Sequence, residues 1–242
     1  MPEPTMPPSA PSAALPTVLL VHGIGSSFAH NWQRTGWVDI LGLDDRTAVG
    51  YELPGHGDST TPLDGDAAVR ELTELVTGHG EVDAVGFSAG AMLLARVAVA
   101  VPGAFRRLAL LGIGDGIWRA GKETGDESAG GVLDLAAALE SDTEHEDPRV
   151  RIFQRLARSA GNDPARVAGY LRSAPSVPTP DQLAAVTCPT LIVVGERDPI
   201  GPADRLAAAF GDAQAVVLPG VDHMATTTDV RCQDRVSRFL AS

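Results

Sequence analysis

Cysteine, positive charge and long apolar runs are all scarce in this chain, and each scarcity closes off a class of protein. Only two cysteines occur, Cys188 and Cys232. Two cannot build a disulfide framework, and these form no CxxC pair for a metal. Free thiols in apolar surroundings suit a reducing compartment, so a cytoplasmic protein is expected. Lys and Arg number 19 against 31 Asp and Glu, a net charge of −12. That charge repels phosphate backbones and argues against nucleic acid as a partner. The longest apolar stretches, such as residues 89–101, fall short of the roughly 18 residues that a membrane-spanning helix needs. Residues 1–16 are rich in proline and carry no Lys or Arg. They lack the basic start and apolar stretch of a secretory signal, and a disordered leader is expected there. Repeats and heptads are missing too. Gly23-Ile24-Gly25 has neither the third glycine nor the Lys-Ser/Thr of a phosphate loop, and no cofactor is implied.

What the chain does have is material for a core. Its 242 residues are 44% apolar and 21% charged, enough for one compact domain over residues 17–242. Continuous apolar runs at 17–21, 47–53, 82–87, 108–113, 190–194 and 215–218 read as strands buried on both faces of a parallel sheet. Helical periods lie between them: Val69, Leu72 and Val76; Ala203, Leu206, Ala207 and Phe210; Cys232, Val236, Phe239 and Leu240. Residues 92–101 are apolar almost all round, as in a helix packed against a sheet. The alternation predicts an α/β fold: a doubly wound, mostly parallel sheet of about six strands with helices on both faces. One interval breaks the rhythm. Residues 115–180 offer three helical periods (Val132, Leu135, Ala136, Leu139; Phe153, Leu156, Ala157, Ala160; Val167, Tyr170, Leu171, Ala174) and no strand, which reads as an inserted all-helical cap.

Gly86-Phe87-Ser88-Ala89-Gly90 joins an apolar run to a helical one. A serine on so tight a strand-to-helix turn presents its hydroxyl, and the flanking glycines admit neighbouring backbone. A hydroxyl needs a base to become a nucleophile. Of six histidines, His223 sits in a loop after the last apolar run, at the strand edge where doubly wound sheets place ligands. His22, His30, His56, His79 and His145 read as turn or connection residues. An acid should orient the base. Asp198, just after the run 190–194, is the first candidate; Asp115 and Asp222 are its rivals.

With these residues in place the chain resembles the α/β-hydrolase fold family. The resemblance is carried by His22-Gly23, by Pro54-Gly55-His56-Gly57-Asp58-Ser59, by the turn at Ser88, by Gly195-Glu196-Arg197-Asp198-Pro199 and by Val221-Asp222-His223, in the order Ser, Asp, His. It implies Ser88 as nucleophile, Asp198 as orienting acid, His223 as general base, and the backbone N–H groups of Ile24 and Ala89 as the oxyanion hole. It gives His22, His56 and Asp58 structural roles. Relatives that cleave carbon–halogen bonds or epoxides carry aspartate at the turn; serine implies an acyl-enzyme. The expected activity is hydrolysis of a small, largely apolar carboxylic ester. A thioester, lactone or carbon–carbon bond, perhydrolysis, and a non-catalytic small-ligand binder of the same fold stay open. The expected partner is a small-molecule substrate, without nucleic acid or membrane.

Ile24, Phe28, Trp118 and Met224 are candidates for substrate contact, with Trp32, Trp37 and Met92 as further aromatic or apolar neighbours. The acidic cluster Glu140, Asp142, Glu144, Glu146 and Asp147 around His145 lacks a D-x-D-x-D-G calcium loop and reads as a solvated linker. Arg151, Arg155, Arg158, Arg166 and Arg172 follow at helical spacing and read as a helix exterior paired with acids.

Overall fold

A computed structural model describes residues 15–118 and 135–242. The leader expected at 1–16 falls almost wholly outside that range, as does Val132. Among the described residues, six strands form one all-parallel sheet: β1 (Thr17–Val21), β2 (Ala48–Tyr51), β3 (Val82–Phe87), β4 (Arg107–Leu111), β5 (Thr190–Gly195) and β6 (Ala213–Leu218). Their order is β2-β1-β3-β4-β5-β6, so β1 lies inside the sheet, paired through Leu20 with Gly50 on one side and Val85 on the other.

Side chains alternate across a strand, and here both faces are apolar. Leu19 and Val21 of β1, Leu108 and Leu110 of β4, and Ile192 and Val194 of β5 enter one core. It is closed by helices α2 (Gly65–Gly78), α3 (Ala89–Ala100) and α8 (Asp204–Ala209), through Leu72, Val76, Leu94, Val97 and Leu206. Val18, Leu20, Ala109, Leu111, Leu191 and Val193 enter the other, under α1 (Trp37–Leu43) and α9 (Val230–Ala241). That double burial explains why the runs read as unbroken apolar stretches. The boundaries shift where polar partners appear. β2 stops at Tyr51, just before Glu52, whose side chain accepts the Phe28 N–H at 3.0 Å, and β4 stops before Gly112, whose φ is +64°.

One polar group interrupts β3. Asp83 is fully buried, and Oδ2 accepts hydrogen bonds from Arg46 and, at 2.6 Å, from Arg106. Both guanidinium groups also donate to the Leu240 carbonyl, at 2.9 and 2.6 Å. Three charges thereby tie β3 to the end of α9.

Between β4 and β5 come a 3₁₀ turn (Asp115–Trp118), α4 (described over residues 135–140), α5 (Pro148–Ser159), α6 (Pro164–Ser173) and α7 (Pro180–Leu183). The last three share one signal: proline at the first helical position, preceded by Asp147, Asp163 or Thr179, whose side chain accepts a first-turn N–H. The arginine stripe and the acidic cluster meet there. Arg172 pairs with Glu140 at 2.6 Å, Arg155 with Glu144 at 2.8 Å and Arg149 with Asp147 at 2.6 Å. These pairs are exposed and each contributes little. Among the described residues no cluster of three metal-binding side chains forms, and no helix is long and apolar enough to cross a membrane.

Candidate active site

β3 ends in Phe87 and α3 begins at Ala89, so Ser88 alone makes the turn, at φ 53° and ψ −115°. A non-glycine residue held there stores roughly 1–3 kcal/mol of strain. The flanking glycines are needed for contact rather than freedom. A Cβ on Gly90 would stand 2.3 Å from the Val21 carbonyl oxygen, and one on Gly86 would stand 2.7 Å from the Ala91 nitrogen. The Ser88 N–H donates to Leu111 O at 2.8 Å, fixing the turn to β4. The first bond of α3 runs from Met92 N to Ser88 O, so the N–H of Ala89 has no acceptor within the helix.

His223 reaches Ser88 from the loop after β6. Its Nε2 is 3.1 Å from Ser88 Oγ, and its Nδ1 is 2.7 Å from Asp198 Oδ2. The Asp198 side chain is 1% exposed, and its second oxygen accepts the Ile200 N–H at 3.0 Å. With the carboxylate on Nδ1, the proton of a neutral ring sits there and Nε2 is left to accept from the serine. The acid and histidine loops are bonded to each other: Arg197 N donates to Val221 O at 2.9 Å, and Gly220 N to Glu196 Oε2 at 2.7 Å. The rivals lie elsewhere. Asp115 accepts the Leu206 N–H at 2.8 Å, at the start of α8, and Asp222 accepts the Ala225 N–H at 2.9 Å in its own turn.

The turn after β1 faces the serine; a Cβ on Gly23 would be 3.4 Å from Ser88 Cβ. Its N–H groups are almost all engaged. Gly23 donates to Asn31 Oδ1 (3.1 Å), Gly25 to His56 Nε2 (2.8 Å) and Ser26 to Gly23 O (3.1 Å). Within residues 23–26, Ile24 is left as the N–H without an acceptor. His22 Nδ1 lies 2.8 Å from Gly23 O, and its Nε2 lies 2.8 Å from Glu52 Oε2. Against the desolvation that burial imposes, the hydrogen bond from His22 holds the Glu52 carboxyl below its usual range. Asp58, by contrast, is exposed on its loop.

His56 must stay neutral to accept from Gly25. Burial, and then the neighbouring His22, push its ring down to about 3. An unfolded chain takes up that proton near pH 6.5. The contribution to stability is therefore complete above pH 6.5 and lost as pH falls from there toward 3, by up to about 1.4 kcal/mol per pH unit. Urea unfolding is expected to show about 2 kcal/mol less stability at pH 5 than at pH 7.5 from this ring. His56→Gln should remove most of that difference; an unchanged difference would assign it to other groups.

A cleft of about 150 Å³ opens over Ser88. Ile24, Phe87, Phe153, Leu156 and Met224 make its apolar wall, while Ser26, His30, Asn31, Thr35, Thr227 and Thr228 make the polar one. Ile24 and Met224 thus stand where substrate contact was expected. Phe28 and Trp118 are not among its lining residues. Phe28 lies over Gly50 of β2, where a Cβ would come 2.4 Å from its ring; the Trp118 indole donates to Pro178 O at 2.9 Å. Trp32 and Trp37, the latter the first residue of α1, are buried edge to face at 5.3 Å, and Met92 of α3 packs against the core. The lining residues of α5, Phe153 and Leu156, were read only as one helix face; nothing local in sequence says what that face covers. Neither cysteine competes as a nucleophile: burial raises the Cys188 thiol and pushes Cys232 up to about 12.

Parallel strands clad in helices on both faces, with a serine on the turn between an inner strand and its helix, define an α/β-hydrolase fold. Residues 18–232 match the alpha/beta hydrolase family, and the chain belongs to it. No curated protein matches the chain. Among solved structures, MenH from S. aureus superposes with a TM-score of 0.75 at 17% identity, over 96% of each chain. A carboxylesterase structure from Nitrososphaera gargenis gives 0.64 at 19% identity, over 94% of this chain and 90% of that one. The N-formylmaleamic acid deformylase from Pseudomonas putida gives 0.64 at 17% identity, over 92% of each. At these identities the likeness is one of fold.

Proposed function

We propose that this chain is a cytoplasmic serine hydrolase acting on small, largely apolar carboxylic esters. One observation carries the reading: the unbroken contact from Asp198 through His223 to Ser88, at 2.7 and 3.1 Å, beneath a small cleft. Ser88 Oγ attacks the ester carbonyl as His223 Nε2 takes its proton. The oxyanion is received by the N–H groups of Ile24 and Ala89, the second at the positive end of α3. His223 returns the proton to the departing alcohol. A water deprotonated by His223 then attacks the acyl carbon and frees Ser88. The cleft supports a short acyl group, since 150 Å³ is about the volume of five liquid waters and below the roughly 300 Å³ at which pockets for drug-sized ligands begin. Its apolar wall suits the acyl chain.

A fluorophosphonate needs an activated serine and an oxyanion site but assumes little about substrate. The expected result is stoichiometric labelling, mapped to the Ser88 peptide by mass spectrometry. A folded protein that neither this reagent nor a smaller sulfonyl fluoride labels ends the enzyme reading. The acid is tested separately. Asp198→Asn leaves His223 in the wrong tautomer and is expected to lower kcat by up to about 10⁴-fold. Asp115→Asn should leave kcat within about twofold; the opposite ranking would move the acid to Asp115.

A further inference from the structure

We infer that Asn162 is a positioning residue, which sets the oxyanion turn from the loop between α5 and α6. It lies 137 positions from the turn in sequence and is only 8% exposed. Its carboxamide bridges three backbone groups. Nδ2 donates to Gly25 O at 2.9 Å and to Ser26 O at 2.8 Å, while Oδ1 accepts the Gly57 N–H at 2.9 Å. Both amide protons are thus spent on the carbonyls of the two residues that follow Ile24. Asn31 and His56 hold the same turn through its N–H groups. Asn162 holds it through its carbonyls. That leaves the Ile24 N–H pointing free, and a donor helps a developing oxyanion only if its orientation is fixed before the reaction. Asn162 is itself anchored, its backbone N–H donating to Ala157 O of α5 at 3.0 Å. The helix that carries Phe153 and Leu156 over the cleft therefore also tensions the turn beneath it. Seating of the roof and competence of the donor become one event.

This inference rests on Ser88 being the nucleophile, and its test separates the two. Asn162→Asp keeps the shape but cannot donate to two carbonyls; Asn162→Ala removes all three bonds. Each is expected to lower kcat on a short ester, and the rate of fluorophosphonate labelling, by about 10–100-fold, with KM within about threefold. Asn162→Ser retains one donor and should fall between the wild type and these two, which keeps the test open if the others do not fold. Arg166→Ala and Ser173→Ala cut other ties of the cap, from α6 to Ser59 O and Leu63 O, and should leave kcat within about twofold. Wild-type kcat in the Asn162 variants overturns the inference. So does an equal loss in the Arg166 and Ser173 variants, or a change in KM alone. A wild-type chain that is never labelled at Ser88 overturns both readings; labelling of the wild type with unaltered Asn162 variants overturns this one only.

Discussion

Ser88→Ala and His223→Ala are each expected to lower kcat by about 10⁵-fold or more, and the double variant to lose no more than the worse single. The reason is that the pair acts as one device. Without the ring, the hydroxyl keeps its proton; without the hydroxyl, the ring has nothing to activate. The 3.1 Å contact between them is part of one hydrogen-bonded chain ending in buried Asp198, so the losses do not add. What survives in all three variants is the oxyanion turn and the cleft, and with them a residual rate above that of water. Both substitutions remove atoms from partly exposed side chains, so melting temperatures should move little. Steady-state kinetics on a short ester, read beside thermal unfolding, checks this. Losses that multiplied in the double variant would mean that Ser88 and His223 serve separate steps.

Asp83→Ala is expected to cost about 3–5 kcal/mol of stability. It leaves Arg46, whose side chain is 2% exposed, as a buried charge whose counter-ion is gone, and it loosens Arg106 as well. In a domain of this size that is a fall of roughly 6–20 °C in melting temperature. Asp83 and Ser88 lie at opposite ends of β3, roughly 15 Å apart along the strand, so kcat per folded molecule should hold. Replacing acid and base together, Asp83→Leu with Arg46→Met, is expected to recover much of the loss, since an apolar pair pays no desolvation. Denaturant unfolding of the wild type, Asp83→Ala and the double variant checks both. A loss under about 0.5 kcal/mol for Asp83→Ala would mean that water reaches the cluster.

The strands were legible because sheets buried on both faces leave unbroken apolar runs, and the residues of the Ser88, Asp198 and His223 loops because turn chemistry puts glycines and acids beside them. Asp83 was not. A single acid inside an apolar run differs from its neighbours only through Arg46 and Arg106, which come from the connections ahead of β2 and β4. The same holds for Asn31, His56 and Asn162, whose roles consist of contacts across 8, 31 and 137 positions. Phe28 illustrates the converse. Its nearness in sequence to Ile24 suggested the cleft, yet Gly50 opens a slot on the sheet that takes the ring instead. Cleft lining depends on which way side chains turn, and a chain position does not carry that.

The roof over the serine comes from one continuous stretch of chain, α5, whereas the floor is assembled from three separate segments, after β1, β3 and β6. Inheritance can treat these two parts differently. A stretch bounded by two strands is exchanged or redrawn in a single event without disturbing the loops below, so the choice of substrate can drift while the chemistry stays put. Asn162 limits that freedom. A foreign roof grafted onto this floor arrives without the carboxamide that Gly25, Ser26 and Gly57 await, and must supply one of its own before the old chemistry runs at full speed.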